Sequence, residues 1–218
     1  MANPCHEETL MKAVIGIAVI MIGSVTTSLH AASYCGELTE AYGPSGGDYT
    51  NSADKAKMKV VEDHHFTPEV EKLISGKSGY LGSDINYTLE RFPNHHRALA
   101  AIAKLGLRDK TTKPRGAKYS VGCFFDRAIQ FKPNDITVRA IYSNYLLKLG
   151  QTDKALEQLK GALELQPENP TINYNLGLLY VEKKDYEQAR TYAKKAYELG
   201  FPLPGLKDKL VKAGKWED

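Results

Sequence analysis

Two stretches of the chain, Ile136 to Asn169 and Pro170 to Leu203, carry small and apolar residues at the same offsets, in a register of 34 residues. Tyr142, Ser143, Leu146, Ala155 and Ala162 recur as Leu176, Gly177, Tyr180, Ala189 and Ala196, and Leu159 stands where the second stretch has Ala193. A period of this length marks units that cannot bury an apolar face alone and that stack on one another to do so. Within Asn173 to Glu182, the residues Tyr174, Leu176, Leu178, Leu179 and Tyr180 recur at helical spacing, and Gly177 admits close approach of a neighbour. Lys183, Lys184 and Asp185 break the pattern. A second helix is then expected from Tyr186 to Leu199, with Ala189, Ala193 and Ala196 as a narrow packing seam, ended by Pro202 and Pro204. Gly150 and the run Gln166-Pro167-Glu168-Asn169-Pro170 punctuate the preceding unit in the same way.

These residues resemble the tetratricopeptide repeat, a helix-turn-helix unit with the pattern W-x2-L-G-x2-Y, then A-x3-F, then P. The resemblance implies an all-α solenoid of helix-turn-helix units that recognises a partner and carries out no catalysis. Earlier in the chain Phe125, Ala128, Phe131 and Pro133 match the end of another second helix. Its first helix is expected over Asn94 to Gly106, with Leu99, Ala100 and Ala103 in the Leu, Gly and Tyr places, and Leu107 to Lys118 reads as an insertion in its turn. A further half-unit ends at Leu89 to Asn94, with Ile85, Tyr87 and Leu89 on its second helix, and Leu206 to Ala213 reads as a capping helix. The organisation expected is a signal peptide over 1–32, an irregular N-terminal segment over 33–66 and a degenerate half-repeat over 67–92. A degenerate repeat with a basic insertion follows over 93–135, then repeats over 136–169 and 170–203, and a capping helix and tail over 204–218.

Met11-Lys12, the apolar run Ala13 to Val25 and the small pair Ala31-Ala32 have the order of a secretory signal, with Met11 as the expected start. The run is shorter than the roughly 20 apolar residues of a spanning helix, so a cleaved signal and a periplasmic location are expected, an uncleaved anchor being the alternative. Cleavage leaves two cysteines, Cys35 and Cys123, and in an oxidising compartment such a pair suggests a disulfide. The other reading makes Cys123 a small buried residue of a helix. A net charge of +3 is too mild to argue for nucleic acid, and the basic run Arg108 to Lys118 reads as a solvated turn, with contact to phosphates or an acidic partner as its alternative.

Catalytic signals fail on inspection. Ser75-Gly76-Lys77-Ser78 has the end of a phosphate-binding loop, but Glu71 stands where its first glycine is required. His64-His65 and His95-His96 raise a metal- or small-ligand-binding alternative, yet adjacent histidines on one helix point apart, and no metal ligand set and no cofactor are assigned. Asn86-Tyr87-Thr88 fits a glycosylation acceptor within an expected helix.

In the family resembled, the first helix of each unit lines a groove. The places that face a ligand there are occupied here by Ala140, Asn144, Leu147 and Lys148 in one unit, and by Tyr174, Asn175, Leu178 and Glu182 in the next. Arg97 and Lys104 come from the weaker unit. Asn144 and Asn175 match two asparagines of a clamp that grips peptide C-termini, whereas Ala140 replaces its first lysine. The expectation is a noncatalytic adaptor of the bacterial envelope with a protein or peptide partner. It touches a membrane only through export or an envelope complex. A regulatory subunit of an envelope enzyme is a further alternative.

Overall fold

The computed structural model describes residues 35, 36, 38 and 46–217. The leader expected over 1–32 lies outside them. Every regular element among the described residues is helical. A 3-10 turn at Ser52–Asp54 leads into α1 (Lys55–His65), short α2 (Pro68–Glu71), α3 (Leu81–Arg91), α4 (His96–Arg108) and α5 (Val121–Phe131). Then come α6 (Ile136–Lys148), α7 (Thr152–Leu165), α8 (Pro170–Glu182), α9 (Tyr186–Glu198) and α10 (Gly205–Lys212).

The first helices of the units start at equivalent residues because the same place supplies a cap each time. Asp135 accepts hydrogen bonds from the Thr137 and Val138 amides, Asn169 from those of Thr171 and Ile172, and the ring of His95 from that of Ala98. Each satisfies donors that a helix N-terminus leaves without intrahelical partners. These caps correct the expected register of α4. With His96 equivalent to Ile136 and Pro170, the Leu, Gly and Tyr places fall on Ile102, Ala103 and Gly106, one turn beyond Leu99, Ala100 and Ala103. All three are buried. Short turns at 149–151 and 183–185 fold α6 onto α7 and α8 onto α9, whereas the inserted residues 109–120 separate α4 from α5.

The N-terminal segment departs from expectation. Residues 55–65, placed in an irregular region by the sequence, form α1, which packs on α3. The pair is joined by residues 66–80 as α4 and α5 are joined by the basic insertion. Val61, Phe66 and Val70 are buried beneath it with Ile85 and Leu89. Residues 46–50 are held by a polar network in place of an apolar face. Fully buried Asn94 donates to the Asp48 and Asp135 carboxylates and accepts from the Tyr49 amide at 3.0 Å, and Lys132 pairs with Asp48 at 2.6 Å. Burial pushes the Asp48 carboxyl upward, but Lys132, Asn94 and Thr50 together hold it well below the usual carboxylate range.

Cys35 and Cys123 form a disulfide with their Cα atoms 5.2 Å apart, which joins the segment before α1 to α5. Buried Arg127 seals the junction, donating to the Cys35 and Gly36 carbonyls at 2.9 Å while its guanidinium lies over the Tyr119 ring. The apolar core falls into two clusters, one running from Phe66 to Tyr145 and one from Leu146 to Leu210, and Tyr142 on α6 packs against both.

Candidate partner-binding groove

Stacking the units leaves the first helices α4, α6 and α8 along one side, where three hollows join. The first, of about 340 Å³ between α6 and α8, is lined by Ala140, Asn144, Leu147, Asn175 and Leu178 together with Thr137 and Ile141. The second, of about 210 Å³ between α4 and α6, shares Ile141 and Asn144 with it and adds Lys104 and Lys148. The third, of about 350 Å³, continues past Tyr145 and Lys148 to the inserted loop at Lys110, Thr111 and Thr112. The lining is largely aliphatic, with Ser143 and Tyr145 buried in it and Asn144, Lys104, Lys110 and Lys148 exposed. Asn144 is exposed and Asn175 half-buried, and among the described residues neither side-chain amide has a hydrogen-bond partner. Each amide carries two donors and a two-site acceptor, the complement of a peptide group.

Seven of the ten expected contact residues, Lys104, Ala140, Asn144, Leu147, Lys148, Asn175 and Leu178, therefore line this trough. Three stand elsewhere. Tyr174 stacks on Phe201 at 4.0 Å and meets Tyr197 edge-on, seating the chain that leads into α10. Glu182 is exposed at the end of α8 and lines none of these hollows. Arg97 is engaged by acids of the N-terminal unit: its Nε donates to Glu71 at 2.8 Å, a second nitrogen also reaches Glu71, and Nη1 donates to Glu62 at 3.1 Å. The Glu71 hydrogen bond raises the guanidinium pKa further, and both carboxyls are held below their usual range. The inserted loop escaped the sequence reading as a groove wall, because Thr111 and Thr112 have no counterpart in the neighbouring units.

The histidine pairs do not converge. His65 faces Asp84 at 3.2 Å, His95 faces Glu62 at 2.9 Å, and His96 faces Asp135 at 2.8 Å, each carboxylate on a different segment. Among the described residues no group of three or more His, Cys, Asp and Glu side chains could hold a metal ion. The Ser75 to Ser78 loop is occupied from within: the Lys77 and Ser78 amides donate to buried Asp84 at 2.7 and 3.1 Å, in the manner of a turn around an anion. On α3, Asn86 donates to Glu90 and accepts from the Lys118 amide.

Family models described as TPR repeat and tetratricopeptide repeat match residues 144–184 and 170–199. Residues 144–199 carry tetratricopeptide repeats. The chain is accordingly a protein-interaction scaffold in the general sense of such repeats. Among solved structures, Pseudomonas aeruginosa PilF is 20% identical, with a TM-score of 0.51 over 73% of this chain and 68% of its own. A point mutant of MamA is 18% identical, with a TM-score of 0.43 over 74% and 83%. At such identity the likeness to PilF speaks to fold alone. No curated protein matches the sequence.

Proposed function

We propose that the chain is a noncatalytic adaptor of the bacterial cell envelope that holds a segment of a protein partner in the trough along α4, α6 and α8. The observation that carries this reading is the pair Asn144 and Asn175, two amides with no described partner, flanking an open hollow whose floor is Leu147 and Leu178. An aliphatic floor accepts side chains of the partner and the amides pair with its backbone, a combination suited to an extended or helical segment. Export rests on the signal-like order of Met11 to Ala32 and on the cysteine pair.

Crosslinking in intact cells, with mass spectrometry of the recovered complex, tests both parts. The expected result is one dominant protein partner crosslinked to α6 or α8, and an N-terminus near Ala32 or Ser33. Asn144→Ala with Asn175→Ala should then weaken that complex about tenfold or more, since each lost hydrogen bond costs about 1 kcal/mol, and should leave helicity and melting nearly unchanged. Full-strength binding by the double variant would sink the groove reading, and recovery of an intact leader in the membrane fraction would sink cleavage.

A further inference from the structure

Three lysines stand along the part of the trough nearest the inserted loop. Lys104 on α4 and Lys148 on α6 line the middle hollow, and Lys110, in the turn that follows α4, joins Lys148 around the third. All three are exposed, and among the described residues none takes part in an ion pair. No aspartate or glutamate lines any of the three hollows. Asp109, next to Lys110 in sequence, and Glu71 are already engaged. Asp109 accepts from Arg108 at 2.8 Å, and Glu71, which feels the charge of Lys104, is held by Arg97. Three other basic residues of the insertion are engaged by the protein itself: Lys118 pairs with Glu90, Arg115 lies over Tyr80, and Arg108 donates to the Leu73 carbonyl.

We infer that the trough is built for an acidic amphipathic peptide segment of the partner, whose apolar side chains rest on Leu107, Ile141, Leu147 and Leu178 while its carboxylates reach Lys104, Lys110 and Lys148. The inference rests on the groove reading above and adds the chemistry of the occupant. Charge complementarity carries it: a one-sign rim above an aliphatic floor raises the local concentration of the opposite charge and disfavours basic competitors. A peptide fits better than a nucleic acid. Bases need exposed aromatic faces to stack on, and the aromatic residue of this stretch, Tyr145, is buried, while the net charge of the whole chain is only +3.

The test is an array of short random-sequence peptides probed with the full chain, repeated with a Lys104→Glu, Lys148→Glu variant and with the Asn144→Ala, Asn175→Ala variant. Both lysines are exposed, so the charge reversal should preserve the melting curve. The expected result is retention of peptides rich in Asp and Glu interspersed with apolar residues, at least about tenfold weaker retention by the lysine variant, and weakening by added salt. Neutral or basic peptides that bind and are lost only with the asparagine variant would overturn the acidic segment and leave the groove standing. Retention of no peptide overturns both. Single-stranded DNA or phosphatidylglycerol vesicles that bind through the same lysines, with no acidic peptide retained, would also overturn it.

Discussion

A methyl group added at Gly177 would lie 2.4 Å from Leu206 Cδ2, a side chain without exposure, and 3.3 Å from the Ala189 carbonyl oxygen. The glycine is thus the point at which α8 meets both α9 and the capping helix. Gly177→Val should lower stability by about 1–3 kcal/mol through overpacking, read from a urea midpoint, whereas Gly122→Ala, whose nearest neighbour is the Tyr142 hydroxyl at 3.5 Å, should change little. His95 makes a second residue-scale statement. Its Nδ1 accepts from the Ala98 amide, so Nε2 carries the proton and donates to Glu62. Burial lowers its pKa from the usual histidine value, against the pull of Glu62 in the other direction. Between that lowered value and about 6.5 the unfolded chain binds the extra proton and the folded chain resists it, so stability present above about pH 6.5 is lost as pH falls. Melting temperature should therefore drop from about pH 7 to about pH 5, with a shallower slope in His95→Asn, which keeps a capping residue and removes the titration.

At the scale of elements, α6 to α9 were legible because their small residues and breakers repeat without insertions: Gly150, Pro167 and the Ala189, Ala193, Ala196 seam each fall where a helix turns or packs. The first helix of the N-terminal unit was not. α1 reads Lys-Ala-Lys-Met-Lys-Val-Val-Glu-Asp-His-His and buries only Val61, so its place is fixed by Glu62, His65 and the covering segment, which leave no apolar period to find. The hollow between α6 and α8 is lined by the two asparagines that the sequence singles out, while the fate of Arg97 and Tyr174 depended on Glu71 and Phe201, distant in sequence and invisible to any local pattern. The covalent tie of the N-terminal segment is the disulfide. Replacing Cys35 and Cys123 by alanine should lower stability by about 2–5 kcal/mol, as loop-closure entropy returns to the unfolded chain, and calorimetry under oxidising and reducing conditions should show the same difference for the unmodified protein alone.

For the molecule as a whole, the two apolar clusters meeting at α6 divide the solenoid into an N-terminal block tied by polar networks and a covalent bond, and a C-terminal block of plain repeats ending in α10. The trough along α4, α6 and α8 draws on both blocks, so it is complete only when they are stacked. Hydrogen exchange should accordingly show α4 to α6 as more protected than α10, whose buried residues are Leu206 and Leu210.

The Cys35 to Cys123 bridge also decides how the chain bears load. Tension applied at its two ends passes from residue 35 straight to residue 123, so the intervening stretch, a sequence separation of 88, is shunted out of the force path. α1 to α4 can then be drawn apart only after reduction, and the length released by a stretched molecule in optical tweezers should be shorter by about 300 Å when oxidised than when reduced. A scaffold tugged by its partner would in that state yield from α10 inward and keep its first-synthesised half folded.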